Sequence, residues 1–158
     1  MKPILLLLAI AVCAPAFAER LDDSLSPRQR IDVTPRWLYD GYGDWTEDQT
    51  NALVADVSAM EFRLKTHAYV GKTVQIFLGV PRLVKGLRSP SAMRVEWKTR
   101  GKFSPGSLLP GDRALVFQGK ITDSLMADFF DFRIYLDGRY IERGLEFDPV
   151  FEIEVLNH

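Results

Sequence analysis

From Val57 onward, apolar side chains recur at every second position over most of the chain, and that period restricts it to one class of fold. Met60, Phe62 and Leu64 alternate with Glu61, Arg63 and Lys65, the pattern of a strand with one wet face. Val57 is out of phase with them, so a bulge is expected near Ala59. The same alternation places Val74, Ile76, Leu78 and Val80 on one side of a second strand, and Met93, Val95 and Trp97 on one side of a third. Leu115 and Phe117, set against Val116 and Gln118, read as the inward pair of a fourth.

Phe130, Phe132, Ile134 and Leu136 run into Asp137-Gly138, a dipeptide suited to a type I′ hairpin turn. Counting outward from that turn sets Ile134 opposite Ile141 and Tyr135 opposite Tyr140. Leu145, Phe147, Phe151, Ile153 and Val155 share one phase. Pro149 among them lacks an N–H, which predicts a bent or edge strand. Helical periodicity is weak throughout. Seven or so short strands separated by Pro and Gly loops predict an all-β chain folded as an antiparallel β-sandwich, immunoglobulin-like in the broad sense, with a small β-barrel as the second choice.

Ahead of the strands the composition changes twice. Lys2 precedes an apolar run from Ile4 to Val12, followed by Pro15 and by Ala16-Phe17-Ala18, with small residues where a signal peptidase reads them. Residues 1–18 are therefore expected to be an export signal. The run is about half the length a membrane-spanning helix needs, so no transmembrane segment is expected once the signal is removed. Cys13 is the only cysteine of the 158 residues, and Val12 is bulky where lipoprotein processing requires a small side chain. A periplasmic or secreted protein without thiols follows, stabilised by packing rather than by disulfides. Residues 19–36 are polar and read as a flexible lead, leaving 37–158 as one sandwich domain.

The formal net charge of −1 conceals a partition. Between Arg63 and Lys102 there are ten basic residues against Glu96 alone, while both flanks are acidic. Arg82, Lys85 and Arg88 precede the third strand; Arg94, Lys98, Arg100 and Lys102 lie in it and just after it. Together they are candidates for a basic face that attracts an anionic polymer or an acidic partner. Cancellation of these charges against acidic strands is the competing expectation. No recognition helix is legible and the pI is near 6.1, so nucleic acid is not an expected partner.

Trp37-Leu38-Tyr39-Asp40-Gly41-Tyr42-Gly43-Asp44-Trp45 is the most individual stretch. Trp37, Tyr39, Tyr42 and Trp45 are candidates to stack on a sugar or to anchor a partner. As a structural element the same segment is a strap whose rings lie against the sandwich. His67 is the one histidine away from the C-terminus, and no Gly-x-Ser-x-Gly elbow surrounds a serine. Gly71-Lys72-Thr73 lacks the upstream glycine of a phosphate loop and reads as a hairpin turn. A carboxylate pair such as Asp131 and Glu152 meeting across strands is the remaining catalytic arrangement. Metal and cofactor sites are not expected, because too few ligands of the right type remain.

These observations predict an exported, non-enzymatic module that binds another macromolecule of the envelope or extracellular space. A carbohydrate-binding module built on the aromatic cluster is the alternative, and a small hydrolase the third reading.

Overall fold

A computed structural model of the chain describes residues 18–27, 34–38 and 51–156. Most of the segment expected to be an export signal, and with it Cys13, lies outside these residues, as do Tyr39, Tyr42 and Trp45. Two antiparallel sheets pack face to face as a β-sandwich. In chain order the strands are β1 (Glu19–Arg20), β2 (Arg36–Trp37), β3 (Ala52–Lys65), β4 (Thr73–Gly79), β5 (Met93–Thr99), β6 (Gly106–Leu108), β7 (Arg113–Lys120), β8 (Leu125–Asp137) and β9 (Val150–Val155). One sheet runs β1-β9-β4-β7 and the other β2-β3-β8-β5-β6.

The long pair β3 and β8 forms the spine of the five-stranded sheet, in register from Ala52 opposite Asp137 to Lys65 opposite Leu125. Ser58 and Ala59 together oppose Asp131, which is the expected bulge. Ala59 takes a φ of 56°, a left-handed conformation that residues with a Cβ rarely adopt. The bulge shifts the phase of β3 by one. Leu53, Ala55 and Val57 face the core before it, and Met60, Phe62 and Leu64 face the same core after it.

Between the sheets the core is rich in phenylalanine. Phe62 and Phe130 of the five-stranded sheet meet Phe151 of the other, with ring centroids 4.9–5.7 Å apart. Phe103, from the loop after β5, and Phe147, from the irregular segment before β9, close the two sides of the cluster. Edge-to-face geometry places the positive ring edge on the negative ring face, which adds to the gain from burial.

Four expectations are corrected. Asp137-Gly138 is not a hairpin: residues 138–140 form one 3-10 turn, the Asp137 carboxylate accepts the Arg139 N–H, and Ile141 bridges Leu87 instead of Ile134. β8 is already flanked by β3 and β5, so no edge is free for a strand that turns back. On β7 Phe117 packs against the core as expected, but its inward partner is Val116 while Leu115 is exposed, because a second bulge leaves Val116 between Phe117 opposite Ile76 and Leu115 opposite Phe77. Gly71-Lys72-Thr73 is a turn that carries the chain from one sheet to the other rather than a hairpin. The Lys72 carbonyl accepts from Ile121 there. β9 begins only after Pro149, as a bent strand would, yet it is not an edge, since β4 and β1 pair with its two sides.

The lead expected to be loose over 19–36 is tied down in its first part. Glu19 and Arg20 pair with β9, Leu21 is buried, and Asp22 receives the Lys65 ammonium at 2.8 Å. Hydrogen bonds from Lys65 and Ser24 hold the Asp22 carboxyl well below the usual carboxylate range. Tyr69 donates its hydroxyl to Glu19 at 2.7 Å, and burial together with that carboxylate pushes the phenol up to about 12.

Two outcomes follow. Truncating Phe130→Ala is expected to lower unfolding free energy by about 3–5 kcal/mol, read from the denaturant midpoint. The Tyr69 contribution is whole below the phenol's ordinary value of about 10 and disappears as pH rises through about 12, because the raised value belongs to the folded state. Tyr69→Phe therefore shows a shallower loss of stability than the parent across that alkaline window.

Candidate functional site

A shallow groove of about 900 Å³ crosses the outer face of the five-stranded sheet. Its floor is set by strand register. Asp56, Arg133, Glu96 and Ser107 form one row across β3, β8, β5 and β6, and Ser58, Asp131 and Lys98 lie in the next. These are the alternate positions whose neighbours face the core, so burial of Phe132, Ile134, Val95 and Trp97 turns the polar set outward.

The charges on this face interlock. Arg133 and Arg36 both donate to Asp56, at 2.7 and 2.9 Å, and they hold its carboxyl below the usual range, Arg133 contributing most. Arg94 pairs with Glu96 at 2.6 Å, and its guanidinium lies 4.4 Å from the ring centroid of Tyr135, whose hydroxyl also reaches Glu96. Asp131 accepts from Arg100 at 2.8 Å and from the Ala59 N–H at 2.7 Å. Both bonds lower its pKa, Arg100 contributing most, and Lys98 adds a through-space pull. Lys98 itself makes no ion pair among the described residues. Around the groove, Arg36, Arg94, Lys98, Arg100 and Arg133 thus stand with Asp56, Glu96 and Asp131, while Arg63 and Lys65 with Glu61 and Asp137 lie farther along the same face.

The opposite outer face carries Arg20, Arg113 and Lys120 with Glu152 and Glu154. Arg113 stacks on Phe77 at 4.2 Å and is clamped between Glu154 at 2.7 Å and Glu152 at 3.4 Å. Asp131 and Glu152 therefore stand on opposite outer surfaces with the core between them and do not form a pair. His67 is exposed in a 3-10 turn beyond β3, away from Ser107 on β6. Among the described residues no cluster of three or more His, Cys, Asp or Glu is placed to hold a metal ion.

The basic candidates do not share one face. Arg94, Lys98 and Arg100 line the five-stranded surface. Arg82, Lys85 and Arg88 sit in the connection at one end of the sandwich, where Lys85 and Arg88 meet Glu146 and Glu142. Lys102 pairs with Asp123 at the other end. The basic stretch is dispersed because its segments enter different sheets: β4 lies in the four-stranded sheet and carries no charge, while β5 lies in the five-stranded one.

Of the aromatic candidates, Trp37 lies on β2 and is 61% exposed, so its ring is not laid against the sandwich. Asp56, Ser58, Arg133 and Tyr135 had not been singled out as site residues. Outward placement of Arg133 and Tyr135 was legible from alternation, but adjacency to β5 was not. No protein-family model matches the chain, and comparison with curated proteins finds none similar to it.

Asp131→Ala frees both the bulge N–H and Arg100, and is expected to lower stability by about 1–2 kcal/mol in denaturant unfolding. Because folding depresses the Asp131 pKa, its contribution is present above the ordinary aspartate range and is lost as pH falls through and below it. Asp131→Asn should accordingly show a flatter acid limb of stability than the parent.

Proposed function

We propose that this chain is an exported, non-enzymatic β-sandwich module that binds another macromolecule bearing anionic groups across the outer face of its five-stranded sheet. The observation that carries this reading is Lys98, a cation without an ion-pair partner among the described residues, in a groove whose three lining carboxylates, Asp56, Glu96 and Asp131, are each bound by arginine. The carboxylates of the face are already engaged by arginines. Groups left for an incoming ligand are thus the Lys98 ammonium and the hydroxyls of Ser58 and Ser107, which suit an anionic oxygen. Export is supported by the apolar run from Ile4 to Val12 and by Ala16-Phe17-Ala18. Among the described residues no helix is long and apolar enough to cross a membrane.

A second reading, binding of neutral carbohydrate, is favoured by one observation, the exposed ring of Trp37. Chromatography on immobilised dextran sulfate, poly-glutamate and neutral dextran separates the two. The anionic reading predicts retention on at least one anionic resin that weakens with added salt and falls several-fold in Lys98→Glu, with an unchanged melting temperature. Lack of retention on both anionic resins, or equal retention of Lys98→Glu, sinks it. Retention on neutral dextran that disappears in Trp37→Ala assigns the chain to the second reading.

A further inference from the structure

Residues 19–26 form a strap that joins the two sheets along one side of the sandwich. Glu19 and Arg20 lie opposite Ile153 and Glu152 on β9, and the Leu21 N–H donates to the Phe151 carbonyl at 2.8 Å. Hydrogen-bonded pairs recur at every second residue of an antiparallel ladder, so Glu19 and Ile153 form such a pair, as Leu21 and Phe151 do. The Glu19 N–H therefore donates to the Ile153 carbonyl. Leu21 is 3% exposed and belongs to the core. From there the chain crosses to β3, where the Lys65 N–H donates to the Asp22 carbonyl at 2.9 Å and the Arg63 N–H to the Ser26 hydroxyl at 2.8 Å.

Small residues at Ala16 and Ala18 mark Ala18–Glu19 as the bond that a signal peptidase would hydrolyse. The nitrogen of that bond is the Glu19 nitrogen held by the Ile153 carbonyl. Side chains reinforce the closed strap: Tyr69 donates to the Glu19 carboxylate at 2.7 Å, and the Lys65 ammonium reaches Asp22 and Ser24 at 2.8 and 2.9 Å. A protease holds its substrate extended through free backbone groups on both sides of the scissile bond. The side chains of Ala18, Glu19 and Arg20 are exposed, so burial does not hide the bond. What withholds it is that β9 occupies one backbone edge of the residues just after it, and that Leu21 cannot lift away without uncovering the core.

We infer that Ala18–Glu19 is a processing site available only while the strap is open, so that signal removal and folding compete for the same residues. This inference rests on the export reading above. In the hydrolysis the oxygen of water joins the Ala18 carbonyl carbon and the C–N bond breaks. Ala18 leaves as a carboxylate, and both protons of the water pass to the Glu19 nitrogen, which becomes an ammonium. That ammonium still donates to the Ile153 carbonyl, so the strap closes after the cut with no ladder bond lost. A chain whose strap closes first keeps the apolar run from Ile4 to Val12 joined to the folded domain.

The test dilutes the full-length chain from denaturant into detergent micelles, with signal peptidase either present at dilution or added once folding is complete, and locates the cut by the mass of the product. The parent is expected to yield a chain beginning at Glu19 in the first order and to be cut at least about tenfold more slowly in the second, because cleavage of a transiently opened segment follows its open population. After folding, Leu21→Ser should be cut about tenfold faster than the parent, since less apolar surface holds the strap closed. Tyr69→Phe removes only the tether to Glu19, leaves the core in place, and should be cut about threefold faster than the folded parent. Its result is independent of how well Leu21→Ser folds. Equal cutting of the parent in the two orders, or two variants as resistant as the folded parent, overturns the proposal and leaves the export reading standing. No cut at Ala18–Glu19 in either order overturns both.

Discussion

One hydrogen bond, from the Ala59 N–H to the Asp131 carboxylate, lies at the point on which the five-stranded sheet turns. β3 is long, and without an extra residue its two apolar sets would face opposite sides, leaving Met60, Phe62 and Leu64 in water or Leu53, Ala55 and Val57 there instead. The bulge reverses the phase and brings both sets to one core. Asp131 satisfies the donor that the bulge leaves without a ladder partner, and Arg100 holds that carboxylate in place. Phe62 and Phe130 meet just beyond the bulge, so the aromatic cluster depends on the same local geometry.

The bulge also shapes the outer surface. Ser58 and Asp131 stand together because two residues of β3 oppose one of β8, and the groove runs through that row. Ion pairs on this surface are exposed, and each contributes little stability in water. Their consequence is geometric: interlocked Arg36, Asp56 and Arg133 on one side and Arg94, Glu96 and Tyr135 on the other leave Lys98 between them without an ion pair among the described residues. Basic and acidic strands do largely neutralise one another on both faces. On the four-stranded side Arg113 bridges Glu152 and Glu154, and Arg20 lies opposite Glu152 on the neighbouring strand.

Legibility in the sequence followed the range of the forces involved. Alternation on β3, β4, β5 and β8 was readable because burial acts on neighbouring residues with a fixed period, and the bulge was readable because that period broke at Val57 and Met60. The Asp137-Gly138 turn was misread for the opposite reason. Its dipeptide preference is local, whereas the outcome was decided by β5 already occupying the edge of β8 that a hairpin would have needed. The inward choice of Leu115 on β7 failed likewise, since the bulge at Val116 arises from pairing with β4. Leu21, taken as part of a loose lead, is buried because β9 offers an open edge to β1, a circumstance no local pattern records.

Period, signal-like N-terminus and cysteine content were determined by the sequence alone, and with them the all-β class and the reliance on packing. These are sums over nearby residues and need no knowledge of which strands meet. Tertiary structure decided which charges share a surface, which strands are edges, and that Leu83 stands out in water while Val84 beside it is buried. Each of these depends on contacts between residues far apart in the chain, and their free energies are set by the partner encountered, not by the residue itself.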